Sequence, residues 1–413
     1  MNAEHRAPSA GRNILHVTPH YVPAWAYGGP PRIAHALCKE LAARGHQVVV
    51  FTNDSLGPGQ RYTSLVRGPR VERRDGVTAY YFPNLSNALK ARLNVSTPMG
   101  MRRAAAQMLP DFDLVHCHEL RTVENLLVTP VAERLGKPMV LTPHGTLPYE
   151  TGRGRLKALW DRLFGPALVS RFAYIAAESG QAVREVYAFR VVMHAPPEVE
   201  HAIIPNGVDP AEFACLPDGK TFRAKWDIPP GVPLVLFLGR LHPRKGVDFL
   251  IWALARAGVS DAHLAVVGPD EGALEPARAA AAAGLSARVV FTGLLAGADR
   301  LAALAAADLF ALPAVGEGMP VAALEACAAG LPVLLSEGCN LPEVEAAGAG
   351  RVLPLDLDAW TAALRALLTD PGARASMGES ARRLAAERFT WSAAVDRLEA
   401  FYDAILAGRS LAP

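Results

Sequence analysis

Arg240 and Lys245 stand close together in LVLFLGRLHPRKG, residues 234–246, directly after an apolar run that ends in Gly239. A buried parallel strand reads as a near-continuous apolar run, and ligands of open α/β sheets collect at the carboxyl ends of such strands. The next stretch, VDFLIWALARAG, has helical spacing and starts with its amide-rich positive end beside both cations. Arginine supplies a planar fork and lysine a mobile point charge, a pairing that suits a diphosphate better than a carboxylate. Taken alone, the two residues are equally consistent with ordinary loop-surface charges.

A second group of chemistry-bearing residues lies in ADLFALPAVGEGMPVAALEACAAGLPVLLS, residues 307–336. Glu317 is flanked by Gly316 and Gly318 after the strand-like LFALP, Pro320 sits at an expected first helical position, and Glu325 follows about one turn into VAALEACAAG. On one continuous helix these acids would not share a face; they converge if Glu317 sits in the preceding loop. Singly, Glu317 reads as a loop acid and Glu325 as a solvated helix residue. Backbone amides in that loop can also face a sugar or phosphate, and the spacing of the two acids together with the Arg240–Lys245 loop argues against unrelated surface charges.

The chain at these residues resembles family 4 of the retaining glycosyltransferases. The matching segments are YGGPPRIAHALCKELAARGHQVVVFT, DLVHCHEL, LTPHGT, IPNGVD, LFLGRLHPRKG and the acid pair of EGMPVAALE, in family order. The resemblance covers most of the chain, and its second-half motifs are the specific ones. It implies the GT-B fold, two Rossmann-like α/β domains with parallel sheets facing a central cleft. Residues 1–205 would form the acceptor-side domain, completed by a C-terminal helix at about 390–413, and residues 206–389 the nucleotide-sugar domain. It also implies roles. Arg240 and Lys245 neutralise the leaving diphosphate in place of a metal, Glu325 holds the ribose, and Glu317 with the Gly318 amide orients the donor sugar. Gly318, Met319 and Pro320 line the donor, Gly28 and Gly29 face its diphosphate, and Gly268 and Gly293 end strands near the base. His118 contacts the transferred sugar and His144 borders the acceptor. No cofactor is implied beyond the nucleotide-diphosphate sugar itself.

Read from the residues, His118 ends the strand-like LVHCHEL on the ligand edge of the first sheet, placed to donate to a sugar hydroxyl or a developing oxyanion. His116, two residues earlier, points the same way and reads better as a satisfied core histidine. His144 ends LTPH before Gly145, which permits close backbone approach. Gly28-Gly29 precedes Pro30-Pro31 at a helix start, either a phosphate approach or a plain helix-entry turn. Gly268 and Gly293 read equally well as turns.

Two acid pairs imitate a metal-binding DxD. Asp111-Phe112-Asp113 precedes its strand and so lies opposite the ligand edge, and Asp356-Leu357-Asp358 reads as an N-cap for AWTAALRALL. Gly152-Arg153-Gly154 follows no strand and lacks a third glycine. No serine or cysteine occupies a nucleophile elbow.

Around these sites, strand-like and helical patterns alternate, which calls for βαβ units and parallel sheets. A length of 413 residues is too great for one core and suits two domains. The five cysteines show no zinc or redox spacing, the N-terminus has no apolar leader pattern, and no run reaches membrane-spanning length, so a cytoplasmic setting is expected. Net charge is +2, but residues 1–205 hold 24 Lys/Arg against 16 Asp/Glu, leaving the remainder acidic. The basic half, with LKARL and GRGRLKALWDRLFG, suits anionic lipid headgroups or a lipid diphosphate as well as a merely soluble basic face.

The expected activity is transfer of a sugar from a nucleotide-diphosphate sugar to a hydroxyl acceptor, with retention implied by the resemblance. The acceptor would be a glycan or lipid-linked glycan, since GCNLPEV resembles enzymes of bacterial surface-polysaccharide assembly; nucleic acid is not an expected partner. A sugar phosphorylase, a nucleotide-sugar epimerase or a silent nucleotide-sugar binder are the alternatives. The complete set Arg240, Lys245, Glu317 and Glu325 argues against the silent binder.

Overall fold

Apolar runs bounded by glycine, proline and capping residues become strands in the computed structural model, which describes residues 11–57, 59–62, 68–149, 154–196, 198–285 and 288–409. The chain forms two compact units, residues 1–205 with 394–413 and residues 206–393. In the first unit the strands are β1 (Asn13–Val17), β2 (Gln47–Asn53), β3 (Ser55–Gly57), β4 (Gln60–Arg61), β5 (Arg70–Arg74), β6 (Val77–Phe82), β7 (Leu114–His118), β8 (Met139–Thr142), β9 (Tyr174–Ala177) and β10 (Glu200–Ile203). Eight of them make one sheet in the order β10-β9-β8-β7-β1-β2-β6-β5, and β3 pairs with β4 separately. β1 lies between β2 and β7, so its carboxyl end and that of β7 flank the point where strand order reverses.

Parallel pairing was expected throughout, and β5–β6 departs from it as an antiparallel edge hairpin. Its turn is Asp75-Gly76, both with positive φ (49° and 80°), a dipeptide that fits a two-residue hairpin turn. Arginines on the outer strand RVERR discourage further pairing at that edge.

The second unit contains β11 (Leu234–Leu238), β12 (His263–Val267), β13 (Val289–Gly293), β14 (Leu309–Leu312), β15 (Val333–Ser336) and β16 (Gly350–Leu353). Their order is β13-β12-β11-β14-β15-β16, with all pairs parallel. This is the dinucleotide-fold order, and its switch point falls between β11 and β14. β11, β14 and β15 are buried along their whole length, each large apolar side chain contributing about 1.5–3 kcal/mol. Trp360 is buried edge-on to Phe249, and its indole N–H donates to the Pro354 carbonyl at 3.0 Å.

Helix boundaries follow local chemistry. Asp356 accepts from the Ala359 amide at 2.8 Å, the expected cap for Leu357–Thr369. The alanine-rich stretch forms the helix Leu274–Gly284. Asp113 accepts from the Asn13 amide at 2.8 Å at the amino ends of β1 and β7, away from the ligand edge. The C-terminal helix Trp391–Leu406 contributes to the first unit from Ala394 onward. Arg44 reaches Asp396 at 2.6 Å and Glu399 at 2.8 Å there, while Tyr402 meets His116 Nδ1 at 2.5 Å.

Gly268 has a packing reason for its identity. Its φ is +150°, and a Cβ there would lie 1.8 Å from the Gly239 carbonyl oxygen. At Gly293, φ is +72° and a Cβ would meet nothing within 4 Å. Gly268→Ala is therefore expected to lower the thermal midpoint by roughly 5–10 °C, and Gly293→Ala by clearly less. Equal shifts in differential scanning calorimetry would contradict the packing explanation.

Candidate active site

The loop after β11 begins with Gly239, whose amide continues the sheet by donating to Val267 O at 2.9 Å. His242 Nδ1 accepts from the Arg244 amide at 3.2 Å and starts the single 3-10 turn Pro243–Lys245. Gly246 then enters the helix Val247–Ala257 with φ +66°, and a Cβ there would strike Pro313 O at 2.5 Å. The β11 loop is thus pressed against the segment leaving β14, and Val315 N donates to Arg244 O at 2.8 Å. Burial lowers the His242 pKa, and Arg244 adds to that effect while Glu271 opposes it.

Three cations and two acids share this switch point. Lys245 Nζ lies 2.8 Å from Glu317 Oε2, and Arg244 Nη2 lies 3.5 Å from Glu317 Oε1. Arg240 Nη1 sits astride the Glu271 carboxylate at 2.8 and 2.6 Å. Burial by itself would raise the Glu317 pKa, but Lys245, Arg244 and Arg240 outweigh it and hold the group below its ordinary value. The excess of positive charge favours a multiply charged anion over a single carboxylate. Sequence reasoning identified Arg240, Lys245 and Glu317 but passed over Arg244 and Glu271. Glu271 lies 31 residues from Arg240, and no local spacing links the two.

Glu325 does not have the solvated surroundings that its position, read singly, suggested. It is buried, not a solvated helix residue, and its Oε1 lies 2.5 Å from Arg300 Nη1. The approach is an ion contact without hydrogen-bond alignment, since Arg300 Nη1 has no aligned acceptor among the described residues. Arg300 also meets Glu212. Glu317 and Glu325 therefore answer to different cations. Pro320 is the N-cap of Val321–Ala328, one position before its expected place. Met319 is buried, and its carbonyl accepts from Asn206 Nδ2 at 2.8 Å. Asn340 Nδ2 donates to the Glu317 carbonyl, and the Glu317 amide donates to Gly338 O at 2.8 Å. These contacts fix the backbone around Gly318 from two sides. Asn206 and Asn340 were not singled out in the sequence, because nothing local marks an amide that braces a distant loop.

In the first unit Gly28 adopts φ 83° between the 3-10 turn Trp25–Tyr27 and the helix Gly29–Ala43. Its amide is used by Trp25 O at 3.1 Å, and Pro30 and Pro31 have no N–H. Gly29 is left as the first-turn donor, so this helix start is a weaker anion cradle than the β11 loop.

His118 is arranged otherwise than expected, whereas His116 matches its reading as a core histidine. His16, His116 and His118 have no exposed surface. His118 does not present a ring nitrogen to a ligand in this conformation: Nε2 faces His16 Nδ1 at 3.0 Å and Nδ1 faces His144 Nε2 at 2.9 Å. His144, with φ 53°, turns Nδ1 to within 3.1 Å of Glu178 Oε1. His116 meets the hydroxyls of Tyr402 and of Thr142, the latter at 2.7 Å, as a satisfied core histidine. His16, His116 and His118 offer nitrogens within 4.8 Å of one another, close enough to share an ion, yet the hydrogen bonds above engage every ring nitrogen of the three except His16 Nε2.

Burial drives the His16 pKa down to about 3 and pushes His116 and His118 well below the ordinary value. Neighbouring His144 and the other two imidazoles lower His118 further, and Glu178 and Tyr402 complete the titratable surroundings. These groups are neutral when folded and gain protons when unfolded. Their stabilisation is complete above the unfolded pKa near 6.5 and declines as pH falls below it, by about 1 kcal/mol per histidine per pH unit. Thermal midpoints should fall steeply between pH 6.5 and 5. A flat profile would contradict neutral burial.

Residues 27–212 match the family described as Glycosyltransferase Family 4, and residues 218–384 match Glycosyl transferases group 1. The chain is 30% identical over 403 residues to a D-inositol 3-phosphate glycosyltransferase of Segniliparus rotundus, covering 90% of this chain and 84% of the relative. It is 28% identical over 410 residues to the MMP alpha-(1->4)-mannosyltransferase of Mycolicibacterium hassiacum, covering 92% and 95%. Among solved structures, Anabaena Alr3699/HepE in complex with UDP-glucose superposes with a TM-score of 0.73 at 20% identity, over 95% of this chain and 100% of that one. A parallel sheet in dinucleotide order, cations at its switch point and relatives matched over most of their length agree: the chain belongs to the family 4 glycosyltransferases of GT-B fold.

Proposed function

We propose that the protein transfers a hexosyl group from a nucleotide-diphosphate sugar to a hydroxyl acceptor, with retention of configuration and without a divalent metal. The observation that carries this reading is the set Arg240, Arg244 and Lys245 on one loop at the switch point of the second sheet. As the anomeric carbon becomes oxocarbenium-like, negative charge grows on the leaving diphosphate, and preorganised cations stabilise it. Arg240 exchanges Glu271 for phosphate, and Lys245 exchanges Glu317. Glu317, so released, turns to the donor sugar with the Gly318 amide, while Glu325, anchored by Arg300, holds the ribose. The leaving phosphate oxygen receives the acceptor proton during attack on the same face. Relatives named for inositol phosphate and mannoside acceptors support a polyol, glycan or lipid-linked acceptor.

A thermal-shift screen over UDP-, GDP- and ADP-sugars tests the reading. A donor at 100 times its dissociation constant stabilises by about 2.7 kcal/mol. One nucleotide class should shift the midpoint in wild type and not in Arg240→Ala; no shift with any of them would refute the donor class.

Peripheral attachment to anionic membrane at the cytoplasmic face is part of the same proposal. Leu156, Leu159, Leu163 and Phe164 are exposed on the helix Gly154–Val169, with Arg155 and Arg162 exposed beside them. Lys157 is withdrawn, donating to Thr146 O and Pro148 O at 3.0 and 2.7 Å, and Lys90 of LKARL is buried. Gly152 and Arg153 and the side chains of Ala91 and Arg92 lie outside the described residues. No helix among the described residues is long and apolar enough to cross a membrane. Vesicles containing phosphatidylglycerol should float the wild type at low salt, and Leu159→Ser with Leu163→Ser should abolish this. Wild type that stays at the bottom at low salt would leave a soluble acceptor.

A further inference from the structure

We propose that Glu178 and His144 are positioning residues that lock His118 into the tautomer with its proton on Nδ1, so that its Nε2 is an acceptor. The functional part of this proposal rests on the reading of His118 as a residue of glycosyl transfer. Four side chains form one line: His16 Nδ1 to His118 Nε2 at 3.0 Å, His118 Nδ1 to His144 Nε2 at 2.9 Å, and His144 Nδ1 to Glu178 Oε1 at 3.1 Å. The His118 and His144 rings have centroids 5.2 Å apart and planes within 10°. With the short N···N contact, that separation places the rings nearly edge to edge in one plane, as a hydrogen bond between imidazoles requires.

Each link holds one proton, and the carboxylate sets the direction. Neither Glu178 oxygen has an aligned donor, and His144 Nδ1 has no aligned acceptor, although all three atoms are buried. Two unsatisfied groups 3.1 Å apart complete each other after a small rotation of the ring. With its proton on Nδ1, neutral His144 must accept at Nε2, so His118 donates from Nδ1. His118 then accepts at Nε2 from His16 Nδ1–H. The opposite direction would set an imidazole lone pair against a buried carboxylate, which burial makes costly. The far end is His16 Nε2, a buried lone pair with no partner among the described residues. His116 stands outside the line, held by Tyr402 and Thr142.

The consequence reverses the expectation that His118 donates to a sugar hydroxyl. When His16 yields its place, His118 Nε2 takes a hydrogen bond from a hydroxyl and gives none. Glu178 thereby selects a hydroxyl-bearing group and disfavours an oxyanion at this point.

Full-length protein labelled with 15N-histidine tests the assignment without any substitution. Two-bond N–H couplings should show Nδ1–H on His16, His118 and His144; Nε2–H on His118 overturns the proposal. In Glu178→Gln the side-chain amide can donate to His144 Nδ1 and invert the line. His118 should then carry Nε2–H, with kcat lowered about tenfold or more, donor KM nearly unchanged, and partial recovery in Glu178→Asp. An unmoved tautomer in Glu178→Gln, or an inverted one at full kcat, overturns it. If Glu178→Gln does not fold, His144→Ala should release the His118 tautomer while His16→Ala preserves it; a tautomer indifferent to His144→Ala refutes the lock. Full activity of His118→Ala would remove the role of His118 in transfer and leave the tautomer result standing.

Discussion

Alanine at Arg240 or at Lys245 is expected to lower turnover by about 10²-fold or more, the scale of removing a preorganised donor from a developing anion. Arg240 and Glu271 side chains are 37% and 31% exposed, and a pair that open to water contributes at most about 1 kcal/mol to stability. Arg240→Ala should therefore lose turnover while its thermal midpoint barely moves. Arg240→Lys should recover only part of the rate, because an ammonium cannot present two parallel N–H groups to a phosphate. Near-normal turnover in Arg240→Ala, or a loss matched by unfolding, would contradict the assignment.

The second large effect is expected at Glu317. Its side chain and that of Lys245 are each 14% exposed, so Glu317→Ala leaves two cations facing one another with little water. Breaking such a pair should destabilise the second unit by about 3 kcal/mol, discounted from the fully buried case for residual solvent. The sign with pH is fixed by the lowered folded pKa of Glu317, which burial opposes and Lys245 brings about. Its stabilisation is complete above the ordinary carboxylate range and is lost as pH falls through that lowered value. The stability difference between wild type and Glu317→Ala should accordingly shrink in acid, as read from urea unfolding at several pH values. Turnover should also fall more than donor affinity, whereas Glu325→Ala should chiefly weaken donor binding. A stability difference independent of pH would place the Glu317 carboxylate outside the ion cluster.

Much of this was legible in the sequence for a physical reason. Fully buried parallel strands leave continuous apolar runs, so β11, β14 and β15 and the loops at their carboxyl ends could be placed without coordinates. Asp356 could be read as a cap because capping is local. What escaped depends on contacts between distant segments. The pairing of Arg240 with Glu271, of Glu325 with Arg300 and of Asn206 with the Met319 carbonyl joins residues that no spacing rule relates. His118 could be located on a strand end, but not its neighbours: His16 and Glu178 arrive from β1 and from the end of β9. The β5–β6 hairpin is a different case. Asp75-Gly76 carried a local signal that the βαβ pattern around it obscured.

The most direct measurement is the initial rate of nucleoside diphosphate release from the donor found by thermal screening, with acceptor present and excess chelator, for wild type and Arg240→Ala. Neutralisation of the leaving diphosphate by Arg240 and Lys245 predicts a wild-type rate unaffected by the chelator and a rate for Arg240→Ala about 10²-fold lower. Activity abolished by chelation and restored by magnesium or manganese would contradict it.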